Sequence, residues 1–165
     1  MALQNPPVVK TQILIRRPVA EVFAAFVDPA VTTKFWFTKS SGRLEPGKEV
    51  RWDWEMFGVG TQVRVKAVEQ DRRILIEWDD PPCPVEWLFA PRGDDTTFVT
   101  ISNWGFQGSD DEVVAKALDS MGGFSFALAG LKALLEHGVA LNLVADHHPD
   151  AAKAQDAVER KGDPK

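Results

Sequence analysis

The sequence predicts an α+β protein in which a curved antiparallel sheet of six to seven strands wraps a long C-terminal helix. Strand-like segments, each with alternating apolar and polar residues, follow one another through the middle of the chain. Two short helix-like segments follow the first strand, and one amphipathic run at residues 109–138 comes after the last strand. A sheet closed by a single helix commonly encloses a space, so we expect an internal cavity.

The bulk composition indicates one soluble domain. The chain has 165 residues, of which 44% are hydrophobic and 26% are charged. A net charge of −5 without a dense basic patch argues against a nucleic-acid partner. A lone cysteine, Cys83, excludes an internal disulfide. The N-terminus has no apolar signal-peptide core and no apolar run approaches the ~20 residues of a membrane span, so we expect a cytoplasmic protein.

The N-terminal elements follow from alternation and proline placement. Residues 8–16 alternate as a half-buried strand does. Pro18 suits the first position of a helix over 18–27, which Pro29 should end. Asp28 is then expected to cap a second short helix through 30–35.

The middle of the chain reads as strands joined by tight turns. Glu45-Pro46-Gly47-Lys48 has the residues of a type II turn, and Gly58-Val59-Gly60 reads as a hairpin turn. Each strand has one apolar and one more polar face, which is typical of an antiparallel sheet with one wet side. The predicted strands are 48–56, 59–70, 72–79, 84–91 and 96–104.

The long helix has recognisable ends. Ser109 and Glu112 form the S-x-x-E pattern of a capping box, and Gly138 suits the C-terminal cap. Gly122 and Gly123 each cost roughly 1 kcal/mol relative to Ala, so we expect a kink or a close backbone contact there. The domain is predicted over residues 1–145, with a peripheral polar tail over 146–165. The predicted apolar stripe of the helix is Met121, Phe124, Leu128, Leu131 and Leu135.

Three local strings carry a family resemblance. They are RRPVAEVFAAFVDPAVTTKFW, RLEPGKEVRWDWE, and TTFVTISNWGF with the later MGGFSFALAGLKALLEHG. Together with the element order, they resemble the START-like SRPBCC superfamily, and within it the bacterial relatives of the activator of the heat-shock chaperone ATPase, often labelled polyketide-cyclase-like. The resemblance covers about residues 8–145 and implies the helix-grip fold. It leaves function open, because carriers, cyclases, hydrolases and chaperone partners share this scaffold.

The candidate ligand site is the set of bulky side chains on the inner faces of the strands and helix. The alternative is that these rings fill the space and leave a solid core. Asn103 is predicted on the inward-facing side of its strand, so its amide either orients a ligand carbonyl or bonds to the loop backbone at Gly105. Trp36 and Phe37 are expected at the mouth. The full expected lining is Trp36, Phe37, Trp52, Trp54, Val63, Val65, Trp78, Trp87, Phe89, Asn103, Phe124 and Leu128.

No residue set stands out as catalytic, and we expect no metal and no cofactor. The strand carboxylates, such as Asp53 and Glu77, fall on outward phases, away from any enclosed substrate. His147 and His148 are adjacent on a polar tail and lack the spacing of a preorganised metal site. Cys83 has no neighbouring base to activate it as a nucleophile.

The leading hypothesis is therefore a non-catalytic protein that binds a hydrophobic small molecule. Two alternatives stay open: a cyclase, dehydratase or hydrolase acting on a polyketide-like or aromatic substrate, and an interaction protein that docks on a chaperone or another chain. A homodimer is compatible with each of these three hypotheses. An internal polar cluster would favour the enzyme, and a solid core beneath an exposed apolar patch would favour the interaction protein.

Overall fold

The structure, a computed structural model, describes residues 3–151. Its elements are β1 Val9–Ile15, α1 Val19–Val27, α2 Pro29–Thr32, β2 Lys39–Ser40, β3 Glu49–Trp54, a 3-10 turn Glu55–Phe57, β4 Val59–Glu69, β5 Arg73–Trp78, β6 Cys83–Pro91, β7 Thr97–Asn103, α3 Asp110–His137 and α4 Leu143–His147. Within the described residues, the strands form one antiparallel sheet in the order β1-β7-β6-β5-β4-β3-β2. The predicted helix-grip architecture is confirmed.

The cap at Asp28 and the turn at Gly47 are as predicted, whereas the β3–β4 turn and some element ends differ. Asp28 caps α2, since its side chain accepts a hydrogen bond from the Ala30 amide at 3.0 Å. Gly47 has φ of 79°, as the type II turn requires. Pro18 is the N-cap of α1 rather than its first residue. The β3–β4 connection turns at Gly58, with φ of 62°, whereas Gly60 already lies in β4. The two-residue strand β2 was not predicted.

Helix α3 begins and ends as predicted, but its buried stripe differs. The capping box is present, since the Ser109 hydroxyl accepts from the Glu112 amide and the Glu112 carboxylate accepts from the Ser109 amide. Gly138 closes the helix with φ of 66°. Met121 is 41% exposed rather than buried, because it lies at the edge of the helix face that meets the sheet. The centre of that face is made by Val113, Ala117, Phe124, Ala127, Leu128, Gly130 and Leu131.

The expected close approach of Gly122 and Gly123 to the sheet is wrong. A Cβ built on either residue would meet no atom within 4 Å. The close approach is at Gly130, where a Cβ would lie 3.4 Å from the Phe35 carbonyl oxygen. The segment after α2 passes under the helix at that point, so the small residue is needed about two helical turns further along than the sequence suggested.

Polar contacts fix α3 along the edge strand β1. The Lys132 ammonium donates to the Leu14 carbonyl at 2.7 Å and pairs with the Glu136 carboxylate at 2.6 Å. Glu136 also accepts from the Arg16 amide, and Ser125 shares a hydrogen bond with the Thr11 hydroxyl. By length and composition α3 could also cross a membrane, yet here its buried side chains join the core of the sheet. Because the helix lies over the β1 edge, it leaves part of the remaining sheet face for other segments to cover.

Candidate functional site

A cavity of about 490 Å³ lies beside the N-terminal half of α3. Its apolar wall comes from the segment after α2, the sheet, the turn after β3, the loop after β7, α3 and α4. The apolar lining residues are Trp36, Trp54, Phe57, Val59, Trp78, Phe106, Gly123, Phe124, Phe126 and Val144. Its polar wall consists of Thr61, Asp79, Cys83, Asn103, Lys116, Asp119, Ser120, His147 and His148. Most of the wall area is apolar. Cys83, Asn103, Lys116, Asp119 and Ser120 form a polar group near the first turns of α3, whereas Thr61, His147 and His148 lie on other parts of the wall.

Four rings make a continuous aromatic wall. Trp78 stacks on Phe124, with ring centroids 5.8 Å apart and an interplanar angle of 21°. Trp36 contacts Phe124 at 5.5 Å and Trp54 at 5.8 Å. Offset-stacked and edge-to-face pairs of this kind leave flat ring faces that a further aromatic group can contact.

The expected lining divides into residues that reach the cavity and residues that lie behind it. Trp36, Trp54, Trp78, Asn103 and Phe124 reach it. The others are packed in the core and do not reach it: Phe37, Trp52, Val63, Val65, Trp87, Phe89 and Leu128. The sequence had left two interpretations open, an empty space or a solid core, and each describes one part of the same sheet face.

The solid part has a clear packing cause. Phe37 stacks on Trp52 with centroids 4.6 Å apart, so neither ring faces a void. Phe26 of α1 covers both Trp87 and Phe89, with centroids 5.9 Å from each. The short helices and the segment after them thus fill one end of the concave face, which leaves the cavity at the end nearer α3 and α4.

Helix α4 contributes to the rim of the cavity. The His147 ring lies 4.6 Å from the Phe126 ring, and the His148 ring lies 6.0 Å from Phe57. The predicted boundary between residues 145 and 146 falls inside this helix. His147 and His148, assigned from the sequence to a peripheral tail, therefore lie on the wall of the cavity, whereas the rest of the predicted tail, 152–165, lies outside the described residues.

Asn103 ties two strands to the long helix. Its amide is 1% exposed, and its Nδ2 donates to the Pro84 carbonyl at 2.8 Å and to the Cys83 Sγ at 3.3 Å. Its Oδ1 accepts from the Ser120 hydroxyl at 2.7 Å. The buried Asn103 amide thus bonds to the backbone, which was one of the two alternatives predicted from the sequence. The backbone partner is Pro84 and not Gly105.

The ionisable side chains of the polar wall are exposed to solvent, with the exception of Cys83. Burial raises the pKa of the Cys83 thiol, although the Asn103 hydrogen bond opposes this, and the thiol donates to the Trp104 carbonyl at 3.0 Å. Asp79, Lys116 and Asp119 are exposed at the rim. Within residues 3–151, no group of three His, Cys, Asp or Glu side chains could hold a metal ion.

Comparison with known proteins identifies the family. The model described as "Activator of Hsp90 ATPase homolog 1-like protein" matches residues 16–136. This chain belongs to that family. The solved structure of the protein SSP2350 from Staphylococcus saprophyticus is 30% identical, with a TM-score of 0.72 over 82% of this chain and 96% of that one. No curated protein sequence matches this chain.

More distant structures share the fold of this chain. CalU16 from Micromonospora echinospora is 18% identical, with a TM-score of 0.65 over 89% of this chain and 86% of that one. The Aha1 dimer from Colwellia psychrerythraea is 15% identical, with a TM-score of 0.67 over 80% of this chain and 98% of that one. DynU16, from the dynemicin biosynthetic locus, is 23% identical, with a TM-score of 0.68 over 81% of this chain and 48% of that one.

Several residues of the cavity wall were not predicted from the sequence. Ser120 could have been found, because it precedes Phe124 by four residues and so shares its helix face. Lys116 lies a further turn back on the same face. The residues of α4 carried no such signal, because Val144, His147 and His148 follow a break in the helical pattern at Gly138.

Proposed function

We propose that this protein binds an apolar small molecule with a planar ring system in the cavity beside α3. The observation that carries the proposal is the aromatic wall of Trp36, Trp54, Trp78 and Phe124 around an open space. A volume of about 490 Å³ falls in the range of small-molecule sites, roughly 300–1,000 Å³. Flat rings gain most from such a wall, since they bury apolar area against several rings at once.

We propose further that binding is not followed by a reaction. General acid–base catalysis needs an ionisable group held beside the substrate. The ionisable side chains of the wall other than Cys83 are exposed to solvent. The less exposed polar groups are the Asn103 amide, the Ser120 hydroxyl and the Cys83 thiol, each engaged in hydrogen bonds with the protein. This favours a carrier or sensor of a ligand over the cyclase, dehydratase or hydrolase that the resemblance also allows.

A pair of tryptophan variants tests the binding site. N-phenyl-1-naphthylamine, whose fluorescence rises in apolar surroundings, should bind the protein at one site and be displaced by planar aromatic compounds. Trp54→Ala should weaken its binding at least tenfold, because Trp54 lies on the wall. Trp104→Ala is the matched control, since Trp104 is equally half-buried but does not line the cavity. An equal loss in both variants, or no binding by the wild type, would sink the proposal.

We propose, as a second candidate, that two copies of this chain associate through α3. Val114, Leu118 and Met121 follow one another at helical spacing and are 42%, 69% and 41% exposed. A two-fold contact between such stripes is self-complementary, so one helix face suffices for both partners. A relative with the same fold, from Colwellia psychrerythraea, is described as a dimer.

Light scattering after size exclusion tests the association. Leu118→Glu should shift the protein from dimer to monomer, because it places a carboxylate at the centre of the stripe. Leu88→Glu is the control, since Leu88 is 41% exposed but belongs to β6. A wild-type protein that stays monomeric at about 0.5 mM would contradict a dimer, and a chaperone or another chain would then be the occupant to test.

A further inference from the structure

The direction of every hydrogen bond around Asn103 can be assigned. The Pro84 carbonyl can only accept, so the atom that faces it at 2.8 Å must be the amide nitrogen of Asn103. The same nitrogen supplies its second hydrogen to Cys83 Sγ. The thiol hydrogen of Cys83 is engaged by the Trp104 carbonyl at 3.0 Å. These partners fix the orientation of the Asn103 amide, with its nitrogen toward Pro84 and its oxygen toward Ser120.

This orientation decides what Ser120 can offer. The Asn103 oxygen carries no hydrogen, so the 2.7 Å bond between the two residues uses the one hydrogen of the Ser120 hydroxyl. Ser120 lies on the cavity wall, and its oxygen keeps its lone pairs. Towards a ligand, Ser120 is therefore an acceptor and not a donor.

The surrounding polar groups do not reverse this preference. Lys116 donates one of its three hydrogens to the Gln107 carbonyl, and it is exposed at the rim, as are His147 and His148. Water competes for the donors of these exposed groups, and Asp79 and Asp119 add further acceptors there. The Thr61 hydroxyl donates a long hydrogen bond of 3.5 Å to the Gln62 carbonyl, so its hydrogen is weakly held. It belongs to β4, however, which is three strands from β7 in the sheet, or about 14 Å at ~4.8 Å per strand. Thr61 thus serves a different part of the cavity.

We propose that Ser120 makes this cavity selective for aromatic ligands that carry a hydroxyl or N–H donor, with phenols as the simplest class. The inference rests on the proposed ligand-binding function and specifies its ligand. A ligand donor that pairs with Ser120 gains a hydrogen bond inside an apolar space, whereas a ligand acceptor at the same place meets only another acceptor. One such bond corresponds to about a three- to tenfold difference in affinity.

Two ring compounds of nearly equal shape test the selectivity. 2-Naphthol has a hydroxyl donor, and 2-fluoronaphthalene has a fluorine of similar size with no hydrogen to donate. Calorimetric titration of the wild type should give about three- to tenfold tighter binding of 2-naphthol. In Ser120→Ala the preference for 2-naphthol should fall towards unity, because the variant lacks the hydroxyl that accepts from the ligand. The Asn103 oxygen does not replace it, since that oxygen lies 2.7 Å behind the position of the hydroxyl.

A second variant should relax the direction of the hydrogen bond. Asn103→Ala removes the acceptor that holds the Ser120 hydrogen, so the hydroxyl can then donate. Binding of 2-acetylnaphthalene, whose carbonyl is an acceptor, should improve relative to 2-naphthol in this variant. Near-ultraviolet circular dichroism would show that both variants remain folded.

The outcomes separate the two proposals. If none of the ring compounds binds the wild type, the proposed function fails and the selectivity fails with it. If 2-naphthol and 2-fluoronaphthalene bind equally, the cavity is a ligand site but the inference about Ser120 is wrong. If the preference for 2-naphthol persists in folded Ser120→Ala, another group provides it, and the inference is again overturned.

Discussion

Gly123 offers the sharpest test of whether the cavity is both open and functional. Its Cβ position meets no atom within 4 Å, and the residue lies on the cavity wall. Gly123→Leu should therefore raise stability by about 1 kcal/mol, the helix-propensity difference, because the Cβ meets no atom and the remaining carbons can extend into the cavity. For a chain of this size that corresponds to an increase of about 2–4 °C in melting temperature.

The same substitution should block binding. Leu adds four carbon atoms, which occupy about 120 Å³ if each takes roughly the 30 Å³ of a water molecule. That is roughly a quarter of the cavity of about 490 Å³. We expect the affinity for a naphthalene-sized ligand to fall at least tenfold, or about 1.4 kcal/mol, in a calorimetric titration.

Gly122→Leu is the matched control. Gly122 has equally open space at its Cβ position but does not line the cavity. It should gain the same helix propensity and keep the wild-type affinity. Two results would refute the reasoning: a Gly123→Leu protein that melts below the wild type, which would mean that the space is not open, or equal affinities of the two variants, which would place the ligand elsewhere.

Three further predictions concern the core and its polar groups. Trp87→Ala should cost about 3–5 kcal/mol in urea unfolding, because Trp87 is 1% exposed and packed, and a cost below 1 kcal/mol would contradict this. Burial alone would raise the pKa of Glu136, but hydrogen bonds from Lys132 and the Arg16 amide hold that pKa below its ordinary value. Glu136→Gln should therefore lower the melting temperature by about 2–4 °C at pH 7, and the difference should vanish as the pH falls through the lowered pKa of Glu136; a difference independent of pH would be inconsistent with it. Cys83 should react with a thiol reagent at pH 8 at least tenfold more slowly in the folded protein than in urea, since burial raises its pKa, and equal rates would disprove this.

Local structure followed from the sequence because its causes are local. A capping box needs residues three positions apart, and Ser109 and Glu112 are enough to define the start of α3. The turn at Gly47 and the cap at Asp28 depend on neighbouring backbone groups in the same way. Strand phases depend on side-chain alternation, so the inward direction of Trp52 and Asn103 was predicted correctly.

Which inward residues face a void depended on packing between distant segments. Trp52 and Trp78 have the same inward phase, yet Phe37 stacks on Trp52, whereas Trp78 borders the cavity. That difference arises from where the segment after α2 crosses the sheet, and residues 37 and 52 are brought together only by the fold. The rim formed by α4, and the open space at Gly123, have the same origin.

The sequence by itself therefore determined the order of elements, their caps and turns, and the face on which each strand residue lies. Only the tertiary structure decided where α3 lies along β1, which part of the sheet face it leaves uncovered, and that the Asn103 amide is already bonded to Pro84 and Ser120. The physical reason is that local backbone preferences act over a few residues, whereas the shape and polarity of a cavity depend on side chains far apart in the chain.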